Sequence, residues 1–82
     1  PSIRGTITKI TKHLCQVWLP DFGIMANIGE KQLPFENWKF RESDNCWIHK
    51  KTKRCLSLRT SAVFRIVSTD PVRNELVVKP II

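Results

Sequence analysis

Four cations fall within five positions of this sequence: Lys50, Lys51, Lys53 and Arg54, preceded by His49. Ammonium and guanidinium groups at this density attract polyanions at long range, and phosphate backbones are the commonest such partner. The alternative is a solvated loop whose lysines keep the domain soluble. A second available chemistry is base stacking. Trp18 and Phe22 are aromatics flanked by Arg4, Lys9, Lys12 and His13, and Arg59 adds a further cation. Such a mixture suits single-stranded nucleic acid, where each stacked base contributes about 1–3 kcal/mol. The competing role for both aromatics is closing a barrel end, since Trp is mostly buried in folded proteins.

Soft-metal ligation is a third chemistry. Cys46-x2-His49-x5-Cys55 brings three ligands close in sequence, with His13 or Cys15 to supply a fourth. Tetrahedral zinc needs four, and no second Cys-x2-Cys or His-x3-His pair completes the set, so no metal site is expected. Trp18, Phe22, Trp38 and Trp47, with Asp21, are the side chains available for an aromatic cage around a methylated Lys or Arg. Catalysis needs a nucleophile, an adjacent base and an orienting group. His13 and Cys15 on one short stretch do not supply them, so no catalytic residue and no cofactor are expected.

The elements that position these groups read as strands. Arg4–Thr11 alternates with period two, placing Ile3, Gly5 and Ile7 on one side and Thr6, Thr8 and Ile10 on the other. Lys12-His13 is a short connection. Leu14–Leu19 is a second strand, with Cys15, Val17 and Leu19 toward the core and Leu14, Gln16 and Trp18 away from it. Pro20-Asp21-Phe22-Gly23 has turn chemistry. Gly23–Ile28 is a third strand closed by Gly29, and Glu30–Leu33 a helical turn ended by Pro34. Phe35–Phe40 reads as a short extended piece, Glu42–Asn45 as a loop and Cys46–His49 as a short strand. Ala62–Thr69 is a main strand, Asp70–Asn74 a turn, and Glu75–Pro80 pairs back as a hairpin.

This is an all-β pattern of five main strands with a non-strand insert between strands three and four. Five strands left flat expose two edges, whereas curling hides core and edges together. The expected architecture is a small five-stranded Greek-key OB barrel, with a Tudor or SH3-like barrel as the nearest rival.

Length and composition set the limits. The chain has 82 residues, a formal charge of +7, 41% apolar and 26% charged residues, which is globular composition. Residues 1–45 hold six basic and five acidic side chains, and residues 46–82 hold eight and two, so the positive excess is local. The longest apolar runs are three or four residues, far short of the roughly 20 a membrane helix needs, and no membrane partner is expected. A chain this short buries only about 60% of its unfolded surface, which leaves no room for a deep substrate cleft beside a core. An autonomous enzyme is therefore not expected. Three cysteines, an odd number, argue for reduced thiols inside the cell, nuclear or cytoplasmic. The start at Pro1, without a basic-then-apolar leader, is expected of a single domain, residues 1–82, excised from a larger protein.

Ile3-x-Gly5-x-Ile7-x-x-Ile10 resembles the opening of S1-type OB domains, and Gly23–Ile28 sits where those domains carry strand three. The closer likeness is to the C-terminal S1-like domain of eukaryotic RNA polymerase stalk subunits. Trp38-Lys39-Phe40, Glu42–Asn45, Cys46-Trp47-Ile48-His49 and Val63–Val67 look like their longer insert and following strand. Two features depart from the pattern. Leu58-Arg59-Thr60-Ser61 replaces the usual Gly- or acid-containing turn, and Leu14, Gln16 and Ala26 stand near the usual stacking positions. The resemblance implies an RNA-binding role in transcription or RNA processing, with other subunits as further partners. The site expected is Arg4, Lys9, Lys12, His13, Trp18, Phe22, Lys50, Lys51, Lys53, Arg54 and Arg59, binding RNA or another single strand. The alternative is a protein-interaction barrel docking a subunit or a modified peptide.

Overall fold

Gly5 lies where three side chains close in on the backbone of the first strand. A Cβ placed there would stand 2.4 Å from Val17 Cγ1, 3.0 Å from Leu19 Cδ2 and 3.2 Å from Phe64 Cδ2. Only a residue without a side chain lets the first strand close over the second and the seventh. The computed structural model describes residues 2–73 and 75–81. It contains β1 (Ile3–Ile10), β2 (Leu14–Leu19), β3 (Ile24–Gly29), a 3-10 turn (Glu30–Gln32), β4 (Trp38–Arg41), β5 (Cys46–His49), β6 (Cys55–Leu56), β7 (Ser61–Asp70) and β8 (Glu75–Pro80).

Five of these strands close in the order β1-β2-β3-β8-β7. Neighbours are antiparallel except β3 and β8, which run parallel with Asn27 opposite Val77. That is the topology of the Greek-key OB barrel. Alternation fills the interior: Cys15, Val17 and Leu19 from β2, Ala26 and Ile28 from β3, Phe64 from β7 and Val78 from β8 are buried.

A bulge changes the expected facing of β1. Ile7 pairs with Val17, but Lys9 pairs with Gln16 and Ile10 with Cys15, so the register shifts between Ile7 and Lys9. Strict alternation would aim Lys9 at the core and Ile10 at solvent. The extra residue keeps Lys9 exposed and turns Ile10 inward, where it is buried. Ile10 therefore belongs to the core, not to the face of Thr6 and Thr8.

The insert also differs from expectation. The expected short strand at Cys46–His49 is present as β5, but β4 and β6 pair with it, so the insert forms its own three-stranded antiparallel sheet. Trp38 and Phe40 on β4 stand opposite His49 and Trp47 on β5, which places all four on one face. That face seals one end of the barrel. Trp38, Trp47, Leu33 and Leu56 join the core cluster. Trp47 Nε1 donates to the Thr11 carbonyl at 3.1 Å, anchoring the insert to the β1–β2 connection. The short aromatic-rich strands cannot bury one face alone, so they do so against the open barrel end.

Replacing Gly5 with Ala forces the stiff Val17 side chain to move. We expect Gly5→Ala to lower stability by about 1–3 kcal/mol, the usual cost of overpacking. Urea denaturation measures it, and an unchanged midpoint contradicts this account of closure.

Candidate nucleic-acid interface

The outer wall of β1–β3 is built by the residues that alternation turns away from the core. Trp18 stands on its middle strand, toward one end, opposite Thr6 on β1 and Met25 on β3. Trp18 is 40% exposed, Met25 45% and Phe22, in the turn from β2 to β3, 54%. Gly23 closes that turn with φ +65°, and its N–H bonds to the Leu19 carbonyl at 2.8 Å, which fixes Phe22 beside the end of β2. Arg4 is two positions before Thr6 on the same face, diagonal to Trp18 and within reach of a long side chain. It borders a groove with Pro20 and Asp21.

Farther along the wall, Gln16 faces Asn27 on β3, and Lys9 stands opposite Gln16. Thr8 Oγ1 donates to the Gln16 carbonyl at 3.3 Å and lies 3.8 Å from Met25 Sδ. Lys12 and His13 are exposed in the loop between β1 and β2. His13 Nδ1 lies 2.7 Å from Glu30 Oε1, so a phosphate reaching His13 must compete with that carboxylate. The face thus has apolar and aromatic surface at the Trp18 end and cations along its β1 side. Asp70 and Glu75, cross-strand partners on β7 and β8, border a groove with Ile24 and Met25. A phosphate backbone is favoured on the β1 side of the wall and disfavoured there.

The basic run forms a separate feature, the tip of the β5–β6 hairpin. Its turn is tightly tied: Lys53 N–H donates to the His49 carbonyl and His49 N–H to the Arg54 carbonyl, both at 2.8 Å. Lys53 has φ 65°. His49 Nδ1 takes the Thr52 N–H at 3.1 Å. Lys50 Nζ donates to the Phe35 carbonyl at 2.6 Å, while Lys51, Lys53 and Arg54 are exposed. Arg59 occupies another left-handed position, φ 68°, with its N–H on the Ile7 carbonyl at 2.7 Å. The structure therefore brings Arg4, Lys9, Lys12, His13, Trp18 and Phe22 onto one wall and its loops. It places Lys50, Lys51, Lys53 and Arg54 on the insert, and Arg59 beside β1. Thr6, Gln16, Met25 and Asn27 complete the wall but were not singled out from sequence. The alternation of Met25 and Asn27 against Ala26 and Ile28 carried the signal.

The aromatic cage does not assemble as a set of four. Trp38 and Trp47 are 4% and 2% exposed and belong to the core, whereas Trp18 and Phe22 lie outside. Nor do the soft ligands converge. Cys46 and Cys55 neighbour one another on β5 and β6, but the His49 ring packs edge-on against Trp38 at 5.0 Å. Among the described residues no group of three metal-ligating side chains comes together.

No protein-family model matches the sequence, and no curated protein matches it. Solved structures do. The apo form of Mycoplasma genitalium RNase R superposes with a TM-score of 0.74 at 14% identity, over 99% of this chain. The same enzyme in complex with ribose-methylated single-stranded RNA gives the same values. The chain spans 13% of the length of those ribonucleases. At that identity the likeness establishes the fold, an S1-like OB barrel.

Burial pushes the Cys15 thiol up. Burial first, and then the neighbouring Cys55, push the Cys46 thiol from 9.0 up to about 11. Unfolding returns Cys46 to its ordinary value, so its contribution to stability is present below pH 9.0 and declines as pH rises toward 11, and the raised Cys15 thiol acts in the same direction. Alkylation of the native protein followed by mass spectrometry should label Cys55 first, with Cys15 and Cys46 reacting only on unfolding. Equal labelling of all three contradicts this geometry.

Proposed function

We propose that the chain is a single-stranded RNA-binding module that holds its ligand on the outer wall of β1–β3. The observation carrying this reading is Trp18, left 40% exposed on the middle strand of the wall where OB barrels bind oligonucleotides. Phe22 and Met25 extend the same exposed apolar surface. Bases stack on Trp18 and Phe22, and phosphates meet Arg4, Lys9 and Lys12. The RNase R structure with bound single-stranded RNA supports the same ligand class.

The module belongs in this reading to a longer intracellular protein of RNA processing or transcription, the setting implied by its likeness to polymerase stalk domains. It contributes substrate holding rather than catalysis. The competing role is docking another protein subunit on the same wall, favoured by exposed Ile24 and Met25.

Fluorescence anisotropy with a short single-stranded RNA at two salt concentrations separates them. Binding should weaken with salt, and Trp18→Ala should lose about 5- to 150-fold in affinity, the equivalent of one stacked base. Its unfolding free energy should change by less than about 1 kcal/mol, as for an exposed position. No association tighter than roughly 10⁻⁴ M, the weak end of non-specific binding, would favour the docking role.

A further inference from the structure

On the barrel's other side, Arg65 of β7 stands directly opposite Lys79 of β8, and both are exposed. Like charges in that arrangement destabilise a strand pair. The ion pairs among the described residues are His13–Glu30, Arg41–Asp44 and Arg73–Asp70, and neither Arg65 nor Lys79 takes part in one. A bridging anion would relieve the repulsion.

Further cations and an aromatic stand nearby. Lys79 and Pro80 share a groove with Asn37 and His49, and Pro80 and Ile81 share another with Arg54 and Cys55. The basic hairpin therefore rises beside the end of β8. Phe35, whose carbonyl holds the Lys50 ammonium, is 68% exposed, more than Trp18 or Phe22. Glu36 is the acidic residue of this stretch.

We propose that this wall is a second contact surface for single-stranded RNA. Phe35 is its stacking platform, and Arg65, Lys79, Lys50 and Arg54 are its phosphate contacts. The proposal rests on the reading of the β1–β3 wall, because its ligand is the continuation of the strand held there. β7 and β8 are the two barrel strands that β2 does not adjoin, so the surfaces lie on opposite sides. OB folds occupy about 4–16 nucleotides, and a strand at the long end of that range reaches around the barrel to both.

The test is the salt dependence of affinity for a single-stranded RNA of about 16 nucleotides. Each phosphate contact on a single strand contributes about 0.7 to the slope of log K against log salt. The Arg65→Gln/Lys79→Gln variant should bind more weakly with a slope smaller by about 1.4. Phe35→Ala should lower affinity with the slope unchanged. Arg41→Gln, which removes a cation paired with Asp44, should leave the slope in place. Thermal unfolding should show the Arg65/Lys79 variant no less stable than the parent, since it loses a like-charge pair. Unchanged affinity and slope in that variant, while Trp18→Ala still weakens binding, overturn this proposal and leave the β1–β3 reading standing. An equal fall in slope for Arg41→Gln overturns the assignment to this wall. A parent chain that binds no RNA overturns both.

Discussion

A closed barrel of five short strands has an interior narrow enough that one position in its wall must have no side chain. Position 5 is that place, with Val17, Leu19 and Phe64 converging on the space a Cβ would take. Everything outside follows from closure at that point. Once the sheet meets itself, the pleat sorts every strand residue into core or surface, and no barrel edge is left to pair with another chain. Trp18 is then held on the outer wall by the same register that buries Val17 and Leu19 beside it. The exposed tryptophan is a consequence of closure rather than a loose side chain.

The remaining weak point of a small barrel is its open end, and the insert answers it. Three strands too short to stand alone press an aromatic face against the opening, and Trp47 ties that face to the Thr11 carbonyl. Two of the three tryptophans are thereby committed to packing, and the third stays exposed on the outer wall. The same insert lifts the basic hairpin away from the stacking wall. Its lysines therefore act as a charged surface of their own as well as adding to the field of the whole domain.

Much of this was legible in the residues. The alternation in Leu14–Leu19 is uninterrupted, so it separates Trp18 from Cys15, Val17 and Leu19 without error. Pro20–Gly23 announces its turn. The five barrel strands and the Greek-key OB class follow from spacing, hairpin signals and the S1-like opening. Ile10 was not legible, because a bulge is one extra residue in a ladder and leaves no mark in a single strand's pattern. The insert sheet was only half visible, since β4–β6 are two to four residues long and gain their stability from the barrel. The Arg65–Lys79 pair was missed for a related reason. Its significance lies in which residue stands across the ladder, and that depends on register.

The central claim is that RNA stacks on Trp18, and the indole N–H groups report on it directly. In a two-dimensional proton–nitrogen spectrum titrated with single-stranded RNA, the Trp18 signal should shift progressively to saturation. The signal of buried Trp47, hydrogen-bonded at 3.1 Å to Thr11, should stay in place. A Trp18 signal that does not move at saturating RNA contradicts the account.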